Sequence, residues 1–441
     1  MQMFQFKYGL DDKPPLWVTF LYGLQWLAVT LPGVLIIGKV VGAFHFTQPA
    51  GQIFYLQKIF LVTGLSLFFQ LLCGHRLPLI MGPAAVLLVG IIAARGFEPG
   101  SVYTAIFVNG VLLAFLSLSG LFGQIRRFFT TRVVAVVLLL IAFTLTPTIL
   151  NLIIAGDAFP SPLARLVFAF FFIPGIFLAE GWLRGVWKSV LVVAAMAFGS
   201  LVYVLCFEAS VSIGAGPSPP WLDWPLGQFT TAFSFDWGVV LSFLFCFLAL
   251  AVNDLGSIQA MKGFFPLADM DKRTRNGMAL TGLSNCLSGF LGVIGSVNYS
   301  LSPGIVLSTG CASRFTLLPT AFFLVLLSFS PAAIACMAAI PRLIIGCVLF
   351  YILANQVAAG LVVAATGKEG FSFKDGLGIG IPVLFGTVLS FLPAQTVAGF
   401  AEFLRPIVGN GFVMGVLAAL LVEHVLMREK TAAGTDDRET F

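Results

Sequence analysis

The chain has 441 residues, 59% of them hydrophobic and only 10% charged, with 24 Lys and Arg against 19 Asp and Glu. Such a composition excludes a soluble globular domain and indicates a polytopic membrane protein, whose formal net charge of +5 bears on topology and not on nucleic-acid binding. The seven cysteines lie scattered, mostly inside apolar runs and without metal-ligand spacing, so neither a disulfide framework, a metal site nor a bound cofactor is expected.

Met1 to Pro15 is short and polar, and no cleavable signal pattern precedes the first long apolar run, which is therefore expected to be retained as a span. About fourteen hydrophobic segments follow, each near the ~20 residues that cross a bilayer, although several are shorter or broken. They cover 16–43, 53–73, 77–94, 101–122, 133–155, 163–181, 186–208, 236–262, 276–294, 297–312, 315–338, 341–365, 377–392 and 398–426. In the first, Gln25 within GLQWLAV stands where it could reach a central site, with a bond to a neighbouring helix as the equal alternative.

The third segment is broken. HRLPLIMGPAAVLLVG, from His75 to Gly90, places Gly82 before Pro83 with small residues behind, the pattern of a strand-like stretch that turns into a half-helix. Between the seventh and eighth segments lies ASVSIGAGPSPPWLDWPLGQ, which reads as an ordered external loop with Trp221 and Trp224 at headgroup depth. The loop divides the segments into two sevens. An odd number per half turns the second half upside down, so inverted repeats are the economical architecture.

The eighth segment, FCFLALAVNDLGSIQAM, has the most polar interior. Asp254 is the one acid clear of any loop, and a charge in mid-membrane is costly enough to be a functional hypothesis by default. Asn253 and Ser257 share a helix face, with Asp254 about 100° around it. The bland alternative is a structural acid bonded to a neighbouring broken helix.

The tenth segment, VIGSVNYSLSPGIVLSTGCASR from Val293 to Arg314, is broken like the third. Ser302 followed by Pro303 is a helix-start signature, so a half-helix begins there after a strand-like Ser296 to Leu301. Open backbone at that depth must pair or line a cavity, so this stretch is expected to pair with Leu77 to Met81. The two half-helix starts then offer unsatisfied amides to a carboxylate or oxyanion near the bilayer midplane. Asn355 and Gln356, in the twelfth segment, read as interhelical contacts.

Basic residues set the orientation. Alternate loops collect His75 and Arg76; Arg126, Arg127 and Arg132; Arg184 and Lys188; Lys262, Lys272, Arg273 and Arg275; Arg314; Lys368 and Lys374; and finally Arg428, Lys430 and Arg438. The opposite loops hold little more than Arg95, Arg165 and Arg342, so both termini are expected in the cytoplasm. The three histidines, 45, 75 and 424, stand far apart in sequence and make no cluster. The polar tail after Glu429 is expected to be disordered.

At Leu301 to Arg314 the residues LSPGIVLSTGCASR resemble the signature of the nucleobase–ascorbate transporter group, the uracil and xanthine permease family, which reads roughly [Q/E]-N-x-G-x-x-x-x-T-G-x-A-S-R. Gly304, Thr309, Gly310, Ala312, Ser313 and Arg314 match it. KPPLWVTFLYGLQW, HRLPLIMGPAA, AVNDLGSIQA and EFLRPIVGNGFVMG resemble the family's first, third, eighth and last spans, so the likeness covers nearly the whole chain. Departures fall where substrate is held. Leu301 and Ser302 replace the Gln or Glu and the Asn, Asn253 stands where the eighth span usually has Glu, small residues around Ala84 and Ala85 replace an aromatic, and Trp26 replaces a frequent His.

The resemblance implies an all-α polytopic membrane protein with fourteen spans in two inverted seven-span repeats and two short antiparallel strands in broken spans 3 and 10. Its expected units are core spans in 1–122 and 236–338, gate spans in 123–208 and 339–428, an external loop at 209–235 and a cytoplasmic tail at 429–441. The function expected is secondary active transport of a small nucleobase-like or related polar organic solute in a bacterial-type inner membrane, by an elevator motion of core against gate. Substrate would meet backbone amides at Ala84, Ala85, Leu301 and Ser302, with Gln25, Asn253, Ser257, Tyr299 and Ser300 around them. Asp254 would couple transport to H+, with Na+ the alternative, and the gate spans would form a homodimer. The rivals are a sulfate-permease-like anion transporter and an uncoupled facilitator or sensor. An enzyme is not expected, since no His, Cys or carboxylate cluster is legible in the spans.

Overall fold

The computed structural model describes residues 6–126, 128–155, 161–183, 186–207, 219–226, 233–265, 267–365 and 371–427. Arg127, Arg184, Lys368, most of the loop at 209–235 and the tail at 429–441 lie outside the described residues.

The first half opens with α1 (Leu16–His45) and α2 (Pro49–Leu72), the latter started by a proline at its first position. Strand β1 (Met81–Pro83) then leads into the nine-residue helix α3 (Ala85–Ala93), and α4 (Pro99–Leu118) again begins on proline. After the short α5 (Phe122–Arg126), α6 (Thr131–Thr144) and α7 (Thr146–Ile154) make one broken span. Helix α8 (Pro162–Trp182) is capped by the Ser161 hydroxyl, which accepts from Ala164 N at 3.3 Å. Arg165, expected in a loop, is buried and donates to Ile154 O at 2.6 Å, closing the link between α7 and α8. Short α9 (Val186–Ser189) and α10 (Leu191–Phe207) complete the half.

The second half repeats this pattern. Helix α11 (Trp237–Ala260) is capped by Asp236, and α12 (Met270–Phe290) runs to the second strand, β2 (Ser296–Asn298), which leads into α13 (Ser302–Thr309). Helices α14 (Leu318–Ser328) and α15 (Pro331–Ala338) follow, the path through them bending by 101°. Then come α16 (Arg342–Ala365), α17 (Phe373–Ser390) with a capping box of Ser372 and Asp375, α18 (Ala394–Ala398), α19 (Arg405–Val408) and α20 (Gly411–Leu421). The last two belong to a second bent pair, turned by 76°.

Eight described helices are long and apolar enough to cross a membrane, or ten when each bent pair counts as one. The difference from fourteen has a physical cause. Helices α3 and α13 have nine and eight residues, α10 has 17, and α12 carries Asp271, Lys272, Arg273 and Arg275 in its first turns. Those charges mark the start of α12 at Met270, six residues before the apolar pattern begins.

The helices pack in two groups. In the first, α1 to α4 join α11 to α15, with α4 lying along α12 and α2 along α14. Helix α4 approaches α12 backbone to backbone: a side chain at Gly110 would strike the backbone around Asn285 and Cys286, and one at Gly282 would strike Ala114 N. In the second group α6, α7, α8, α10, α16, α17 and α20 pack together. Arg132 at the start of α6 ties this group by pairing with Asp375 at 2.6 Å and Glu423 at 3.2 Å.

The segment before α1 docks on the first group through backbone bonds around one parallel bridge, Tyr8 to Cys311. Lys7 N donates to Gly310 O at 2.8 Å, Ala312 N to Tyr8 O at 2.9 Å and Arg314 N to Leu10 O at 3.1 Å. Ser313 Oγ donates to Asp12 O, and Arg314 pairs with Asp11 while donating to Leu71 O. The Ala312–Arg314 part of the sequence signature thus holds the chain's own beginning.

Candidate functional site

The two strands cross where the two halves meet. β1 and β2 pair antiparallel with Met81 opposite Asn298, Gly82 opposite Val297 and Pro83 opposite Ser296. The paired residues begin later than the strand-like Leu77 to Met81 suggests, because His75 to Ile80 is committed to other bonds. Tyr299 N donates to Ile80 O and Ala84 N to Gly295 O, both at 2.9 Å, extending the ladder at each end.

Alternation along β2 sends Asn298 to the side opposite Tyr299. There Asn298 meets Asp254 of α11. Asp254 Oδ1 accepts from Asn298 Nδ2 at 2.7 Å and from Asn298 N at 3.2 Å. Asn298 Oδ1 in turn faces His75 Nε2 at 3.1 Å, while His75 Nδ1 accepts from Leu77 N at 2.9 Å. The Leu77 bond leaves Nδ1 without a proton, so the ring carries its hydrogen on Nε2 and donates it to Asn298. That fixes the amide orientation, and hence which atom of Asn298 points at the acid.

His75, Asn298 and Asp254 are all fully buried. His75, grouped by sequence with loop bases, is therefore an interior residue joined to the acid through one amide. Asp254 Oδ2 makes no hydrogen bond among the described residues, although it is buried. Thr281 of α12, whose hydroxyl accepts from Gln70 at 3.1 Å, lies beside the carboxylate. Ser257, one turn from Asn253, donates to Asn253 O and to Asn298 O and is also buried.

On the other side of the strands, Tyr299 reaches back to donate to Pro83 O at 3.2 Å. It fits because Gly33 and Gly82 leave room: a side chain at either would meet the phenol. Ser302 is fully buried. Its Oγ donates to Tyr299 O at 2.9 Å and accepts from Ile80 N at 3.1 Å, while its own amide donates to Tyr299 O. The amides of Ser302 and Ala84 and the Ser302 hydroxyl are therefore engaged at the strand crossing in this arrangement.

What stays open is a smaller set. The amides of Ala85 and Val86 at the start of α3, and those of Ser300 and Leu301 before α13, donate to no acceptor among the described residues. Ser300 is exposed and Leu301 is 48% exposed, and on α11 Asn253 is half-buried with Gly256 exposed next to open space. Gln25 is buried and engaged by other groups of the protein. The open surface therefore presents N–H donors and an apolar side chain, with the Asp254 carboxylate behind the strands.

A cavity of about 900 Å³ lies between the two helix groups, lined from the first by the Lys39 end of α1 and the close of α3, from the second by α7, α16 and α20, and by α19, which packs on both α11 and α20. Among the described residues no group of three or more His, Cys, Asp or Glu side chains is placed to hold a metal ion.

Comparison with known proteins agrees with this architecture. The chain is 24% identical over 431 residues to the uric acid permease PucK of Bacillus subtilis, covering 94% of this chain and 96% of that protein. It is 25% identical over 427 residues to the nucleobase transporter PlUacP of Paenibacillus larvae, covering 91% and 93%. The fold is similar to the transmembrane domain of a cyanobacterial bicarbonate transporter, BicA, with a TM-score of 0.58 over 94% of this chain and 99% of that one at 15% identity. Residues 18–368 match the profile of the xanthine/uracil permease family. With most of its length inside that profile, the chain belongs to this permease family, the nucleobase–ascorbate transporter group, and is an integral membrane transporter.

Proposed function

We propose that the protein is a secondary active transporter of an oxo-rich or anionic nucleobase-like heterocycle, coupled to H+ through Asp254. The carrying observation is the half-satisfied carboxylate: Oδ1 holds two N–H donors and Oδ2 holds none, in a fully buried position. A carboxylate oxygen without a partner leaves room for a proton that can be taken up and released without disturbing the Asn298 and His75 bonds. Na+ at the same oxygen is the competing form of coupling.

The substrate class follows from the open amides. N–H groups at Ala85, Val86, Ser300 and Leu301 suit ring oxygens and anionic edges, whereas Leu301 offers nothing to the N–H edge of a neutral base. Relatives described as uric acid permease and nucleobase transporter support this class. The four elements α3, α10, α12 and α13, beside the ten candidate spans, support the reading of fourteen spans. Matching strand–half-helix units in the two halves support inverted repeats, and the two helix groups support an elevator motion of core against gate. Placement in a bacterial-type inner membrane with both termini cytoplasmic, and a homodimer through the second helix group, complete the reading.

Purified protein in proteoliposomes, offered radiolabelled uric acid, xanthine or uracil with and without an inward proton gradient, tests it. Uric acid or xanthine should accumulate above equilibrium only with the gradient, and Asp254→Asn should keep counterflow exchange while losing accumulation. Accumulation by Asp254→Asn equal to the wild type, or a gradient requirement met by Na+ alone, overturns proton coupling at this acid.

An anion transporter of the BicA type is the second reading, favoured by the exchange of an acidic or amide side chain for Leu301. Uptake of bicarbonate or sulfate with no uptake of any heterocycle would select it.

A further inference from the structure

The cavity between the helix groups has a charge pattern that the transport reading does not use. Lys39 and Arg95 line it from the first group, Arg342 from the second and Arg405 from α19, which packs on both α11 and α20, and Glu402 is the one acid in its wall. Four cations facing one carboxylate across a cavity of about 900 Å³ make a strongly positive space at the boundary of two packed bodies.

Three of the cations are held in place by one or two contacts that leave donors over. Lys39 Nζ donates to Ala338 O and Ile340 O, at the link from α15 to α16. The Arg95 guanidinium stacks on the Phe44 ring at 3.9 Å, which leaves its N–H edges open. Arg405 Nε donates to Phe400 O at 3.0 Å, with its terminal nitrogens unused among the described residues. Arg342 makes no ion pair among the described residues, and neither does Glu402, so the acid is in direct contact with none of the four. Arg342 is also the first residue of α16, a 24-residue helix, and Ile345 in its first turn lines the same wall. The positive end of that helix dipole therefore adds to the side-chain charge.

We propose that this cavity is a binding site for a compact multivalent oxyanion, of the sulfate or phosphate type, that bridges the two helix groups. An anion held by Arg95 on one side and Arg342 on the other would tie together bodies that transport must move apart, so its occupancy would favour the arrangement described here. The site is separate from the strand crossing: neither Asp254 nor any of the amide-bearing residues of the strand crossing lines the cavity. If sulfate is itself the transported solute, the arginine variants, which lie away from the strand crossing, separate binding in this cavity from binding at the transport site.

The test is thermal stabilisation of the purified full-length protein in detergent by sodium sulfate, phosphate and pyrophosphate, against sodium chloride at matched ionic strength. The expected result is saturable stabilisation by the multivalent anions beyond chloride. Arg95→Gln and Arg342→Gln, one from each group, should each raise the half-saturating sulfate concentration about fivefold. Glu402→Gln, which removes the one opposing charge, should lower it. Repeating the titration in nanodiscs of zwitterionic and of anionic phospholipid distinguishes a free oxyanion from a lipid phosphate: stabilisation by anionic lipid that abolishes the sulfate response assigns the site to a headgroup. Stabilisation no greater than with chloride overturns the proposal, as does a sulfate response unchanged in both arginine variants. Loss in only one of them overturns the bridging. If either arginine variant fails to fold, tighter binding by Glu402→Gln still supports the site and an unchanged response overturns it.

Discussion

Asn298 holds the site together by facing two ways. Its side-chain oxygen accepts from His75 and its amide donates to Asp254, so removing it strands groups on both sides. Asn298→Ala should lower stability by about 2–4 kcal/mol, read from the thermal midpoint in detergent, because buried donors and acceptors without partners are costly. Adding His75→Leu to that variant should cost much less than His75→Leu alone, since the bond it breaks is already gone. Additive losses would mean the histidine acts elsewhere. Leu301 is the opposite case. At 48% exposed it holds nothing in place, so Leu301→Gln should leave stability within about 0.5 kcal/mol. It should nonetheless improve competition by neutral bases with N–H edges, such as uracil, by about tenfold in an uptake assay.

These residues also mark what the sequence could say. Asp254 was legible because an acid inside an apolar run has no cheap explanation, and the half-helix starts because Gly82–Pro83 and Ser302–Pro303 break otherwise helical runs. His75 was not, since GHR between two apolar segments reads locally as a loop. Its burial comes from α12 passing over it at Gly277, where a side chain would strike the His75 Cβ. Asn298 had a usable signal in the two-residue period of its strand. The use of Ser302 and Ala84 as internal ties had none, because only the strand register decides which amides remain open.

Among the elements, α4 and α12 make the closest approach in the first group. Their contact depends on glycines that let one backbone rest on the other, so Gly282→Val has no rotamer that avoids Ala114. It should cost about 1–3 kcal/mol, the range for overpacking a tight contact, and lower the yield of folded protein. Gly123→Val, at a position with nothing near its missing side chain, should show neither effect when both variants are compared by size-exclusion profile and thermal midpoint. Polarity explains why α12 escapes a hydropathy reading. Its early charges include Arg273, whose guanidinium pairs with Asp269 and also donates to the carbonyl of Arg76, clamping the turn that carries His75. An element can thus look like a loop start by composition and still serve as a lid over the buried network.

For the molecule as a whole, the strand pair joins β1 of one half to β2 of the other, so neither broken span can settle without its counterpart. Open strand edges and free amides in a low-dielectric interior are costly, which makes this pairing a condition for both halves to fold. The docked segment before α1 is a second such long-distance tie. A chain lacking residues 1–12 loses three backbone bonds together with the Ser313 and Arg314 contacts. Its thermal midpoint should correspond to a loss of about 2 kcal/mol, discounted because Asp11 is 59% exposed. An unchanged midpoint would show that the docked segment adds no stability.

The same docking sets an order of events on the ribosome. Asp11 and Arg314 are 303 positions apart, so the segment around Asp11 waits unpaired while the chain between them is inserted. A protease site engineered at Lys7 should stay cleavable in nascent chains arrested before Gly310 and become resistant once synthesis has passed Arg314. The docked segment would then act as a completion mark, closing only over a half-helix that has already been delivered to its place.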